Sequence, residues 1–198
     1  MQLTHEKLFS LEQYARIRIE FRNKVIKHKA NRMVTIGQHA TLYFEDSLTM
    51  QYQVQEMLRL ERIFEPEGIQ QELDVYNPLI PDGSNWKATF MLEYEDVEER
   101  RVALARLIGI EKTVWVQVEG YNKVYAVANE DLTHKSEDKT AEDKTSAVHF
   151  LRFELTPEMV ASIKQGMGVR ASTSHPNYNE EVKISAVILD SLAGDLVS

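Results

Sequence analysis

Residues Lys144 to Leu155 read KTSAVHFLRFEL, and the fold class turns on this stretch. Successive side chains of a strand point to opposite faces of a sheet. That period puts Ala147, His149, Leu151, Phe153 and Leu155 on one face and Val148, Phe150, Arg152 and Glu154 on the other. The stretch reads as a strand, yet it carries His149 and Arg152 in an apolar setting. Downstream, TPEMVASIKQG is a helix with Thr156 as cap and Pro157 at its first position. A strand near GVRAST, a turn at HPNYN and a closing helix in SAVILDSLAGDL follow.

Upstream, TVWVQVEGYNKVYAVAN holds two β-rich runs around Gly120 to Lys123 and reads as a hairpin. KATFMLEY alternates Ala88, Phe90, Leu92 and Tyr94 on one face, as a strand does, and DVEERRVALARLIGI is an amphipathic helix closed by Gly109. Before these, MVTIGQHATLYFED forms a hairpin about Gly37 and ends in acidic turn residues. Two long helices occupy the N-terminal part. One runs from about Leu11 to Asn31 behind a capping box of Ser10 and Gln13, and the other opens at Ser47 and is interrupted by Pro66. The segment NPLIPDGSN is a loop. Recurrent hairpins predict an α+β fold: a mainly antiparallel sheet packed against two long N-terminal helices and shorter C-terminal ones.

The chain has 198 residues, 43% hydrophobic and 27% charged, within the range of one globular domain. A single domain over 1–198 is expected, with sub-lobes at 1–85, mainly helical, and 86–198, mainly sheet. Acidic residues outnumber basic ones 31 to 23, for a net charge of -8, which repels a polyanion and argues against nucleic acid as partner. There is no cysteine, which excludes disulfides, thiolate ligands and cysteine nucleophiles. The start MQLTHEKLFSLEQ has no signal-peptide pattern, and no apolar run approaches bilayer length. The expectation is a soluble cytoplasmic protein that does not engage a membrane. The polar run NEDLTHKSEDKTAEDKT contains EDKT twice, at Glu137 to Thr140 and Glu142 to Thr145, and reads as a duplication in an exposed loop.

Four segments carry a resemblance to a known family: YARIRIEFRNKVI, LYFEDSLTMQYQVQEMLRLERIF, QELDVYNPLIPDG and KTSAVHFLRFELTPEM. Over nearly its whole length the sequence resembles the uncharacterised bacterial family called domain of unknown function 3501. The resemblance implies no specific activity for any residue. It implies a link to redox or oxidative-stress metabolism, through neighbouring rubrerythrin-like and iron–sulfur oxidoreductase genes. The second EDKT departs from the family pattern, in which a single copy is usual.

Charge placement supplies the candidate site. On the first helix, Leu11, Tyr14, Ala15, Ile17, Ile19, Phe21, Val25 and Ile26 make an apolar face with Arg18 and Arg22, one turn apart, at its centre. The second helix has a polar stripe of Gln51, Gln55, Arg59 and Arg62, and two carboxylates fall outside it, Glu56 and Glu61. These differ in direction by roughly 140°, so each needs its own partner. A lone ionised group in apolar surroundings costs several kcal/mol or more, so the inward arginines and glutamates should meet one another or a ligand. The expected cluster is Arg18, Arg22, Glu56, Glu61 and His149, with Arg152 paired to Glu154 or to a carboxylate of a neighbouring element.

Two readings of this cluster stand. In one it is a structural network that fixes helix packing. In the other, the paired arginines clamp the carboxylate or phosphate of a small anionic or metal-linked ligand, and His149 or Glu56 transfers a proton. A structural network is internally balanced, whereas a site leaves a cavity and at least one arginine donor unfilled. No HExxH, Walker loop, dinucleotide fingerprint, EF-hand or Gly-x-Ser-x-Gly elbow occurs. No cofactor and no metal site is assigned, although a metal could be assembled from Glu56, Glu61 and His149. The alternative function is a non-enzymatic accessory domain that works by binding a protein partner.

Overall fold

The computed structural model describes residues 2–128 and 143–197. Six α-helices and nine strands are described: α1 Leu11–Ala30, β1 Met33–Ile36, β2 Ala40–Phe44, α2 Ser47–Glu61, α3 Pro66–Tyr76, β3 Asn85–Leu92, α4 Val97–Arg106, β4 Val114–Val118, β5 Val124–Tyr125, β6 Val127–Ala128, β7 Val148–Glu154, α5 Pro157–Lys164, β8 Val169–His175, β9 Tyr178–Lys183 and α6 Ala186–Ala193. The strands form two sheets, ordered β1-β2-β3-β7-β6 and β5-β4-β8-β9, and every pairing is antiparallel. The fold is therefore α+β as expected.

Local chemistry sets the helix boundaries. Ser10 accepts from the Gln13 N–H while the Gln13 side chain accepts from the Ser10 N–H, so the first helix opens on a reciprocal cap. Asp46 caps α2 through the N–H groups of Leu48 and Thr49. Arg62 ends that helix in the left-handed region, φ 57°. Pro66 and Pro157 each stand at the start of a helix, where the missing N–H costs nothing.

One core joins the sheets. Leu42, Phe44, Trp86, Phe90, Leu151 and Phe153 of the first sheet meet Val114, Val116, Val118 and Val169 of the second. Leu189 and Leu192 of α6 belong to the same core, and the Trp86 indole donates to the Leu192 carbonyl at 3.0 Å. On the first sheet's other face, Phe150 packs on a second core of Met50, Val54, Leu58, Ile69 and Leu73 from α2 and α3. β7 alternates as its sequence says: His149, Leu151 and Phe153 are buried, and Val148, Phe150 and Arg152 are half-buried on the helix side.

Tyr178 of β9 ties the layers together. Its hydroxyl donates to the Ile36 carbonyl at 2.6 Å and accepts from the His39 N–H at 2.9 Å, across the β1–β2 turn. Gly37 stands in that turn at φ 68°, and a Cβ there would lie 2.6 Å from the same hydroxyl.

Three expectations change. The run after Lys123 splits at Ala126: β5 pairs with β4 in the second sheet, while β6 pairs with β7 in the first. The turn expected over HPNYN narrows to two residues, and Tyr178 already begins β9, a charged edge strand. Helix α4 ends at Arg106, three residues before Gly109. The acidic run with its EDKT repeat lies outside the described residues except for its last three. Hydrogen bonding crosses residue 85, since β1 and β2 share a sheet with β3 and β7. Among the described residues no helix is long and apolar enough to cross a membrane.

Candidate functional site

Helices α1 and α2 meet through one ion network. Arg18 holds Glu56 with Nε on Oε1 at 2.7 Å and a terminal nitrogen on Oε2 at 2.8 Å. The Tyr14 hydroxyl donates to Oε1 at 2.8 Å, and Arg59 reaches Oε2 at 3.2 Å. With both oxygens engaged, chiefly by Arg18 and against the effect of burial, the Glu56 pKa falls to about 2. Burial, and then the bond to Glu56, push the Tyr14 phenol upward, so it stays protonated.

The rest of the expected cluster is not assembled. Arg22 and Glu61 are exposed. On α1 the buried line is Tyr14, Phe21 and Val25, while Ile19 is 76% exposed and Ile26 51%. The buried face is therefore narrower than the sequence pattern, with Arg18 at its edge and Arg22 roughly 40° further round. On α2, the stripe of Gln51 and Gln55 does not face water. The Gln51 side chain donates to the Lys7 carbonyl at 2.7 Å, and Gln55 exchanges two hydrogen bonds with the Phe9 backbone. The irregular N-terminal segment lies along this stripe, because its unpaired backbone groups need donors and acceptors. The burial of Gln55 leaves Glu61, Leu60 and Phe64 on the outside.

His149 faces the inter-sheet core, on the opposite side of the first sheet from α1 and α2. It lies beside Phe90 and its Nε2 is 3.1 Å from the Thr145 hydroxyl. Burial lowers its pKa, opposed by Glu111, so it is a neutral core imidazole. Arg152 sits on the helix side of β7 and pairs with Glu154 at 2.7 Å. Its neighbour across the strands is Lys87, whose pKa is lowered by burial and by this second cation. Among the described residues no group of three or more His, Asp or Glu is placed to hold a metal.

Two arrangements were not anticipated from the sequence. Arg32, 2% exposed, donates to the carbonyls of Phe44 and Glu45 and to Asp195, which joins the end of α1 to the region after α6. Asp46 lies 3.6 Å from Arg32 and 2.5 Å from His28. Burial raises the Asp46 pKa, but Arg32, the Thr49 N–H and His28 outweigh it and the net shift is downward. Asp195 shifts upward, because its burial outweighs the same arginine.

The second arrangement is a cavity of about 330 Å³ between the outer face of the first sheet and helices α2 and α3. Met50, Leu79, Met91 and Phe150 give it apolar walls, and Tyr43 and Tyr76 add two phenol rings. Lys29 and Glu45 are its charged residues. Glu45 is 4% exposed, and the Thr89 hydroxyl donates to its Oε1 at 2.8 Å. Its Oε2 is buried without a hydrogen bond, and the Lys29 ammonium stands 3.9 Å away, beyond hydrogen-bond range. A sequence signal existed: the alternation of buried Ala40, Leu42 and Phe44 puts Thr41, Tyr43 and Glu45 on the helix-facing side.

Comparison with known proteins bears on family and fold. The sequence profile of a family described as protein of unknown function (DUF3501) matches residues 2–196. A crystal structure of a novel protein of unknown function from Burkholderia pseudomallei K96243 is 48% identical, covers 100% of both chains and superposes with a TM-score of 0.91. No curated protein matches the chain.

Proposed function

We propose that this chain, which belongs to the DUF3501 family of proteins of unknown function, binds a small organic molecule in the cavity between its first sheet and helices α2 and α3. One observation carries the reading: Glu45, a nearly fully buried carboxylate, lines that cavity with an oxygen that has no hydrogen bond. Native structures rarely leave a buried carboxylate oxygen without a hydrogen bond, and such a group is costly unless a donor reaches it. The cavity's volume is at the lower end of the range for ligand sites, and apolar walls with few polar groups are what such sites present.

The Arg18 and Glu56 network supports the fold rather than the ligand site. Glu56 is bonded on both oxygens and does not line the cavity beside Glu45, although the Nε of its partner Arg59 is buried without a hydrogen bond. The cavity wall carries carrier-type chemistry, with apolar surface, phenols, one carboxylate and one ammonium, so the reading is binding without a reaction, an accessory role. The first sheet draws strands from both halves of the chain, which supports one domain over 1–198 as the binding unit.

A fragment screen read by the methyl resonances of ¹³C-labelled methionine tests the proposal. Met50 and Met91 line the cavity, and Met33 and Met167 are exposed methionines outside it. Binders are expected to shift Met50 and Met91 and to leave Met33 and Met167 in place. Hits that move only the exposed methionines, or no hits, would contradict it.

A further inference from the structure

The chemistry of the cavity's charged pair narrows the ligand, given the binding function proposed above. We infer that the ligand is an uncharged molecule with an apolar body and one hydroxyl, phenolic or alcoholic, held between Glu45 and Lys29. Three observations lead there. The cavity's two charged residues are one carboxylate and one ammonium, so their charges cancel and neither a free anion nor a free cation is neutralised without leaving one of them opposed. The Glu45 Oε2 needs a donor, and the Lys29 Nζ, 3.9 Å away, is a donor that does not reach it. A hydroxyl oxygen about 2.8 Å from each atom spans that gap, donating to the carboxylate and accepting from the ammonium. Beyond this pair, Met50, Leu79, Met91 and Phe150 offer mostly hydrocarbon and thioether surface, suited to an apolar body.

Glu93, Glu95, Glu98 and Glu99 line two grooves beside Tyr94 together with Arg100 and Arg106, and among the described residues no buried side-chain atom there lacks a hydrogen bond. The exposed Ile19 and Ile26 stripe of α1 has no feature that names what covers it.

The test is a matched series with one apolar body and four heads: 4-ethylphenol, 4-ethylbenzoate, 4-ethylbenzylamine and ethylbenzene. Each is titrated into ¹³C-methionine protein and its affinity is read at Met50 and Met91. The phenol should bind about tenfold more tightly than each of the others, the value of one hydrogen bond to a charged group. Lys29→Met removes the cation and should turn the preference toward the benzylammonium. Because Lys29 is partly exposed, this variant is expected to fold. A native protein that prefers the carboxylate, the ammonium or the bare hydrocarbon would overturn the ligand class while leaving the cavity reading intact. Silence at Met50 and Met91 with all four compounds would overturn the cavity reading itself.

Discussion

Arg18 grips Glu56 with two nitrogens on two oxygens, at 2.7 and 2.8 Å, and so pins the middle of α1 to the middle of α2. Such a fork fixes angle as well as distance.

The grip has a pH signature. The Glu56 pKa is lowered from 4.5 to about 2 in the fold, so the unfolded chain takes up its proton first as pH falls. Stability from this group is present above about pH 4.5 and is lost as pH falls toward 2. Urea titrations from pH 7 to 2.5 should show the decline, and Glu56→Gln should be less stable at pH 7 and decline less below pH 4.5. Parallel curves for the two proteins would contradict this.

Arg22 and Glu61 offer the complementary test. Both are exposed, so Arg22→Ala and Glu61→Ala should each change unfolding free energy by less than about 0.5 kcal/mol. A larger loss in chemical denaturation would mean that these side chains are engaged after all.

Arg32 is the buried charge whose removal should matter most. Arg32→Met leaves Asp46 and Asp195 without their shared guanidinium, and breaking a buried pair costs about 3–5 kcal/mol. Equilibrium denaturation measures it, and a cost under about 1 kcal/mol would contradict the assignment.

His149 should remain neutral at pH values where an ordinary imidazole is charged. Its pKa lies below 6.5 because burial disfavours the cation, so the unfolded chain binds this proton more readily and stability from His149 is lost as pH falls below 6.5. Imidazole NMR resonances followed against pH should give a His149 midpoint below 6.5, and a midpoint at or above 6.5 would contradict a buried neutral ring.

The fold was legible where local chemistry and tertiary packing agree. Ser10 with Gln13, Thr156 with Pro157 and the period-two pattern of β7 each determine their element within a few residues. β9 was not legible, because an edge strand exposes Asn179, Glu180 and Glu181 to water and loses the alternation that marks a strand. Of the site, only the Arg18, Glu56 and Arg152, Glu154 pairs were readable. A helical wheel treats every apolar residue as buried, so Ile19 and Ile26 dragged the apparent face of α1 toward Arg22. It also treats every glutamine as solvated, whereas Gln55 is buried against backbone. Glu45 reads from sequence as an acidic turn residue, because its burial depends on helices that come later in the chain.

The central claim is that the cavity beside Glu45 is a ligand site, and occluding it is the most direct test. Met91→Trp places an indole in the cavity wall and leaves Glu45 and Lys29 unsubstituted. Isothermal titration with 4-ethylphenol should give saturable one-to-one binding to the native protein and none to the variant, with thermal unfolding still cooperative. Equal binding by the two proteins would contradict the account.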